Sequence, residues 1–222
     1  MNFHGFYNSS SIEKLDFIIK QTWELFICKF LMNRYSISTE APFQHHLANN
    51  IRAIGESFCF RRSETFFVDL ETKVDDLGGK RKYIDITVGF YDNDQVMAKA
   101  AIELKFKKRS QGADDFARID AYSDIESLEL CLEKGFDLGY FFMISDYDIF
   151  IKESRPGTTG DIFSMREGYT PPVNVVFQNP NCKGRCDVKV ILKRKHTYNW
   201  KGIEDKFFLA LPIHKNPEIA TE

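Results

Sequence analysis

Apolar residues recur at helical intervals over residues 10 to 34, at Leu15, Ile18, Ile19, Leu25, Phe26 and Phe30, with Trp23 and Ile27 widening the stripe. Ser10 and Glu13 have capping-box spacing, which marks the start. So broad a surface fits either a core helix or a dimer-forming one. A second helix is expected from Thr39, a suitable N-cap, to about Ile54, with Pro42 tolerated in the first turn. Phe43, Leu47, Ile51 and Ile54 make its inward stripe. The period then changes. "ETFFVDLETKV" (64–74), "RKYIDITVGFY" (81–91) and "VMAKAAIELKFKK" (96–108) read as strands, with turn signals in "DDLGGK" and "DNDQ". These predict a three-stranded meander. An acidic helix follows from about Asp114 to Lys134, with Ala117, Ala121, Ile125, Leu128 and Leu132 inward and Gly135 at the C-cap position. "LGYFFMIS" (138–145) is apolar throughout, as a strand buried on both faces requires, and the helix before it suggests a crossover to a parallel position.

Beyond Asp146 the pattern weakens. Residues 154–172 are rich in turn formers and read as a long loop, whereas "VNVVFQ" (173–178), "VKVILKRK" (188–195) and "KFFLALPI" (206–213) read as strands. The expected architecture is α/β: an N-terminal helix (10–36), an αβββαβ core (39–145) with a mixed central sheet flanked by helices, and a β-rich extension (146–222), all within one domain of 222 residues.

Composition changes this picture little. At 43% hydrophobic and 28% charged, the chain fits an ordinary globular domain. No apolar run reaches the roughly 20 residues a membrane helix needs, and no secretory leader is visible, so a cytoplasmic, membrane-free protein is expected. Five scattered cysteines suit reduced thiols. Cys182 and Cys186 bracket "CKGRC", but zinc would need two further ligands, with only His196 or His214 as obvious candidates. The formal net charge of −2 hides an uneven distribution: Lys99 to Arg109 holds five basic residues and one acid, and Lys183 to Lys201 holds seven and one.

The chemistry starts from "AIELKFKK" (101–108), where Glu103 sits inside an otherwise apolar strand. Burying a carboxylate without a partner is expensive. Lys105 follows two residues later, on the same face and about 6.6 Å away. Asp85 lies on the preceding strand. It can converge on Glu103 if a one-residue offset or bulge in the hairpin turns it to the same face. Two carboxylates and the Leu104 carbonyl are hard oxygen donors suited to Mg²⁺, and a lysine beside them can hold the attacking water or stabilise developing negative charge. Glu40 and Gln44 fall near the inward stripe at the start of the second helix. The bland alternative is a structural salt bridge between Glu103 and Lys105.

"IDITVGFYDNDQVMAKAAIELKF" (84–106) resembles the D…(D/E)xK signature of the PD-(D/E)XK nuclease superfamily, with Ile84 in place of the usual proline and "IELK" (102–105) matching the second half. The resemblance covers roughly the middle half of the chain. It implies the restriction-endonuclease-like fold and Mg²⁺-dependent hydrolysis of phosphodiester bonds, usually in DNA, with Mn²⁺ as a substitute. Asp85 and Glu103 would then bind metal, Lys105 would assist the water or the leaving charge, and Glu40 would take the place of the helix glutamate that reaches the metal site.

Around this core, Lys107, Lys108 and Arg109, and farther on Lys193, Arg194 and Lys195, are expected to contact the phosphate backbone, although solvated strand edges look alike. Gln44 is expected either to contact the attacking water or to be a plain buried amide. Asp69 and Glu71 are extra ligands or solvent-facing side chains, His45 and His46 are surface residues, and Arg118 and Tyr122 either approach substrate or pair locally with Asp114 or Asp115. The expectation is a DNA endonuclease of restriction or phage-defence type, acting as a homodimer or higher homo-oligomer with residues 10–34 as a candidate interface. The alternatives are a non-cleaving binding or assembly protein on the same fold, a nuclease for RNA or for branched or single-stranded DNA, and a nucleotide-activated effector.

Overall fold

The computed structural model describes residues 9–78 and 80–215. Helix α1 spans Ser11–Leu31 and α2 Glu40–Glu56. Strands β1 (Glu64–Leu77), β2 (Lys80–Asp92) and β3 (Gln95–Lys107) form the meander. Helix α3 (Asp114–Glu133) leads to β4 (Leu138–Ser145), and a short helix α4 covers Thr159–Ile162. Strands β5 (Val176–Phe177), β6 (Val190–Ile191), β7 (Trp200–Ile203) and β8 (Lys206–His214) complete the chain. The fold is α/β, with a mixed six-stranded sheet in the order β1-β2-β3-β4-β8-β7; β5 and β6 pair separately. Two compact units share the chain. Among the described residues, one takes those from Ser9 to Ile102, Cys131–Gly139, His214 and Lys215; the other takes Glu103–Leu130 and Tyr140–Ile213.

In the first unit, α1 starts at a full capping box: the Ser10 N–H donates to Glu13 Oε2 at 2.7 Å, and the Glu13 N–H to Ser10 Oγ at 3.2 Å. Leu15, Ile18, Ile19, Trp23, Phe26 and Ile27 are buried, and Trp23 and Phe26 pack on Phe43 of α2. The apolar face of α1 is therefore core, packed in part against α2. Leu25, expected in the stripe, is 39% exposed. Thr39 stands at the N-cap of α2 in extended conformation, as expected, yet its side chain makes no capping hydrogen bond. Gly55 lets the Phe66 ring approach: a Cβ there would lie 2.2 Å from the ring. The β2–β3 hairpin closes at Asn93 and Asp94, both with positive φ, as a two-residue type I′ turn demands.

His214, also in this unit, is 8% exposed, with Nε2 3.9 Å from Asp16 Oδ1. Burial lowers its pKa below the ordinary 6.5; Asp16 acts in the opposite direction and Lys20 in the same one. The unfolded chain therefore binds the proton first as pH falls. The His214 contribution is complete above about pH 6.5 and is lost as pH drops through the lower folded-state value. Urea unfolding between about pH 5 and pH 7.5 should show this limb, and His214→Gln should flatten it.

In the second unit the core is an aromatic cluster in which Tyr122 meets Phe163, Phe177 and Tyr198 at ring distances of 5.2, 5.1 and 6.1 Å. Burial pushes the Tyr122 and Tyr198 phenols well above the ordinary tyrosine range. Residues 154–172, expected as a bare loop, are pinned to this core. Phe163, Ser164 and Met165 are buried, the Tyr122 hydroxyl donates to the Ser164 carbonyl at 2.6 Å, and Trp200 Nε1 donates to the Met165 carbonyl at 2.7 Å. Arg118 is 1% exposed; its Nη2 donates to the Ile149 carbonyl and its guanidinium lies 5.0 Å from the Phe150 ring centroid. Arg118 and Tyr122 are thus core residues; burial lowers the Arg118 pKa, while Asp115 and Asp114 act on its charge in the opposite direction, in line with the expected local pairing. Two expected strands shrink to the two-residue pairs of β5 and β6, while β7 was not foreseen.

Candidate functional site

The register of β2 against β3 governs the position of Asp85. Next to the turn, Asp92 pairs with Gln95 and Tyr91 with Val96, but the next pair is Phe90 with Ala98. Met97 is therefore an extra residue, a β-bulge. A ladder continued from the turn without it would set Ile102 against Asp85. With it, Ile102 pairs with Ile86, the last pair of the ladder. The next residue on β2 is Asp85 and the next on β3 is Glu103.

Asp85 is half-buried, and α2 reaches it through Gln44. Gln44 Nε2 donates to the Asp85 carbonyl at 2.7 Å and to Glu71 Oε1 at 2.8 Å, so both of its N–H groups are engaged by the fold. Glu71 lies on β1 between the pairs Leu70↔Ile86 and Thr72↔Ile84, with φ at +52° inside a strand. Glu40, the first residue of α2, is exposed. His45 is exposed and His46 half-buried, stacked on Tyr35 at 4.3 Å.

In the second unit, Glu103 is 3% exposed and Leu104 is buried. Lys105 Nζ lies 3.1 Å from Asp124 Oδ2, with the two side chains 17% and 13% exposed. Asp124, on α3, is thus a partner of the candidate lysine that the sequence pattern did not reveal. Lys107 Nζ donates to the Gly112 carbonyl, the Lys108 N–H donates to Gln111 Oε1 at 2.8 Å, and the Arg109 N–H donates to Asp146 Oδ1 at 2.7 Å. Arg109 also sits over the Tyr147 ring at 5.1 Å.

The acids of α3 organise the C-terminal basic segment. Asp120 binds Arg185 at 2.9 Å and Glu126 accepts the Ile191 N–H at 2.7 Å. Glu129 is 2% exposed; it accepts the N–H groups of Lys193 and Arg194 at 2.8 and 2.9 Å and contacts His196 Nε2 at 2.7 Å. The main chain of this segment is thus fixed from behind, with the Lys193 and Lys195 side chains exposed and Arg194 half-buried. The available signal was Glu129's position four residues after Ile125, on the apolar stripe of α3.

The thiols of Cys182 and Cys186 are free, the first buried and the second exposed. Among the described residues, no three His, Cys, Asp or Glu side chains gather as a metal-binding group. No described helix is long and apolar enough to cross a membrane. No protein-family model, curated protein or solved structure matches the chain.

Proposed function

We propose that this chain is a Mg²⁺-dependent nuclease hydrolysing phosphodiester bonds of DNA, on a restriction-endonuclease-like core. Asp85 and Glu103 are its metal-binding carboxylates and Lys105 its catalytic cation. The observation that carries this is the bulge at Met97, which shifts the β2–β3 ladder by one residue and ends it at Ile86↔Ile102, with Asp85 and Glu103 next on their strands. A one-residue offset of this kind supports the reading of Asp85 and Glu103 as a pair.

The donor chemistry suits the ion. Two carboxylates and the Leu104 carbonyl are hard oxygens, and Mg²⁺ keeps several waters, so a dense cage of protein ligands is unnecessary. When bound, Mg²⁺ lowers the pKa of a water and neutralises charge on the scissile phosphate. The remaining roles belong to this chain's own side chains. Lys105, held by Asp124, offers its ammonium to the charge that develops on the phosphate. Glu40 adds a carboxylate from the start of α2. Lys107, Lys108 and Arg109, with Lys193, Arg194 and Lys195, supply positive charge along the path of the nucleic-acid backbone.

The test is incubation of the purified chain with plasmid, linear duplex, single-stranded and branched DNA, and RNA, with Mg²⁺, Mn²⁺ or EDTA. Cleavage of duplex DNA that EDTA stops is the expected result. Cleavage confined to another substrate would reassign the nucleic acid. Binding without cleavage under every metal would favour a non-cleaving protein on the same fold. Light scattering of the same sample reads whether the active form is a homodimer.

A further inference from the structure

Glu71 departs from the rules of its surroundings. It is a non-glycine residue in the left-handed region, with φ at +52°, between two paired positions of the β1–β2 ladder. Such a conformation is unfavourable for an L-residue with a long side chain, and it persists where the neighbourhood holds it. The neighbourhood is visible: Glu71 Oε1 accepts one N–H of the Gln44 amide at 2.8 Å, and the other N–H of that amide goes to the Asp85 carbonyl at 2.7 Å. The pairs Leu70↔Ile86 and Thr72↔Ile84 set Glu71 level with Asp85. Glu71, Gln44 and Asp85 therefore form one connected clip, in which a carboxylate orients an amide and the amide grips the main chain of Asp85.

We infer that Glu71 is a positioning residue for Asp85, and that its strained backbone is retained because the carboxylate aims Gln44. This rests on the nuclease assignment, since it gives Asp85 a ligand's role. Glycine at 71 would adopt the left-handed backbone readily and lose the clip. Glutamine would keep a carbonyl oxygen in the accepting position. A merely structural Glu71 and a positioning one therefore respond differently to these two changes.

The experiment compares wild type, Glu71→Gly and Glu71→Gln in melting temperature, in Mg²⁺ binding by calorimetry, and in the Mg²⁺ concentration giving half-maximal cleavage. Glu71→Gly is expected to melt at or above the wild-type temperature, yet to need about tenfold more Mg²⁺ and to cleave about tenfold more slowly, the size of effect that loss of an outer-shell support has at metal sites. Glu71→Gln should stay within about threefold of wild type. A Glu71→Gly protein with wild-type Mg²⁺ dependence and rate overturns the inference alone. A wild-type chain that neither binds Mg²⁺ nor cleaves overturns the nuclease assignment and this inference together.

Discussion

Lys105→Ala is expected to slow Mg²⁺-dependent cleavage about a hundred- to a thousandfold, the loss typical when one electrostatic stabiliser of a transition state is removed. The ion pair with Asp124 makes the control essential. At 17% and 13% exposure the pair is largely buried, so removing the lysine takes this cation from the Asp124 carboxylate at a cost of about 1–3 kcal/mol. The rate per folded molecule therefore separates the two possible roles of the lysine. A catalytic Lys105 gives a variant that, at a temperature where it is fully folded, still binds DNA and Mg²⁺ but barely cleaves. A purely structural Lys105 gives a lower melting temperature and a rate per folded molecule equal to wild type. Lys105→Arg sharpens the comparison: it keeps the charge and can still reach Asp124, but its planar fork does not fit a point-charge role. It should retain stability and recover little of the rate.

Glu129→Ala should be the most damaging single change to stability. The carboxylate is buried and accepts two main-chain N–H groups beside a close contact with His196. Removing it strands those donors in a low-dielectric interior, at a cost of about 3–5 kcal/mol. For a chain of this size that is a fall in melting temperature of roughly 6–20 °C, readable by calorimetry. Because Glu129 also fixes the main chain that carries Lys193 and Lys195, any DNA affinity should weaken and show a shallower salt dependence. Glu129→Gln, which keeps an acceptor oxygen, should lose markedly less. A melting temperature unchanged by Glu129→Ala would show that the C-terminal segment is held by its aromatic packing alone.

The parts of this molecule that a periodic pattern can describe were readable from the residues. Helices α1, α2 and α3, the meander and β4 stand within a few residues of their expected limits, because each carries an apolar stripe, an alternation or an unbroken apolar run. Residues 146–205 were not readable in the same way. Their order comes from single long-range bonds, such as Tyr122 to the Ser164 carbonyl or Trp200 to the Met165 carbonyl, which leave no period in the chain. The site divides along the same line. The D…ExK spacing is a local pattern and could be seen. The bulge at Met97 could only be stated as a condition, because nothing in "VMAKAA" marks which residue is extra. Asp124, Glu129 and the clip at Glu71 are pairings between distant segments, invisible to any window.

The arrangement around β4 also bears on how the chain can be made. All eight of its residues are buried, it carries no charge, and its sheet neighbours are β3 and β8. β3 precedes it, but β8 begins roughly sixty residues after β4 ends, an interval of about 3–12 s at ordinary rates of translation. For that time one edge of a sticky apolar ribbon waits on the ribosome for its second neighbour, which makes the nascent chain a natural client for chaperones and ties soluble yield to the speed of synthesis.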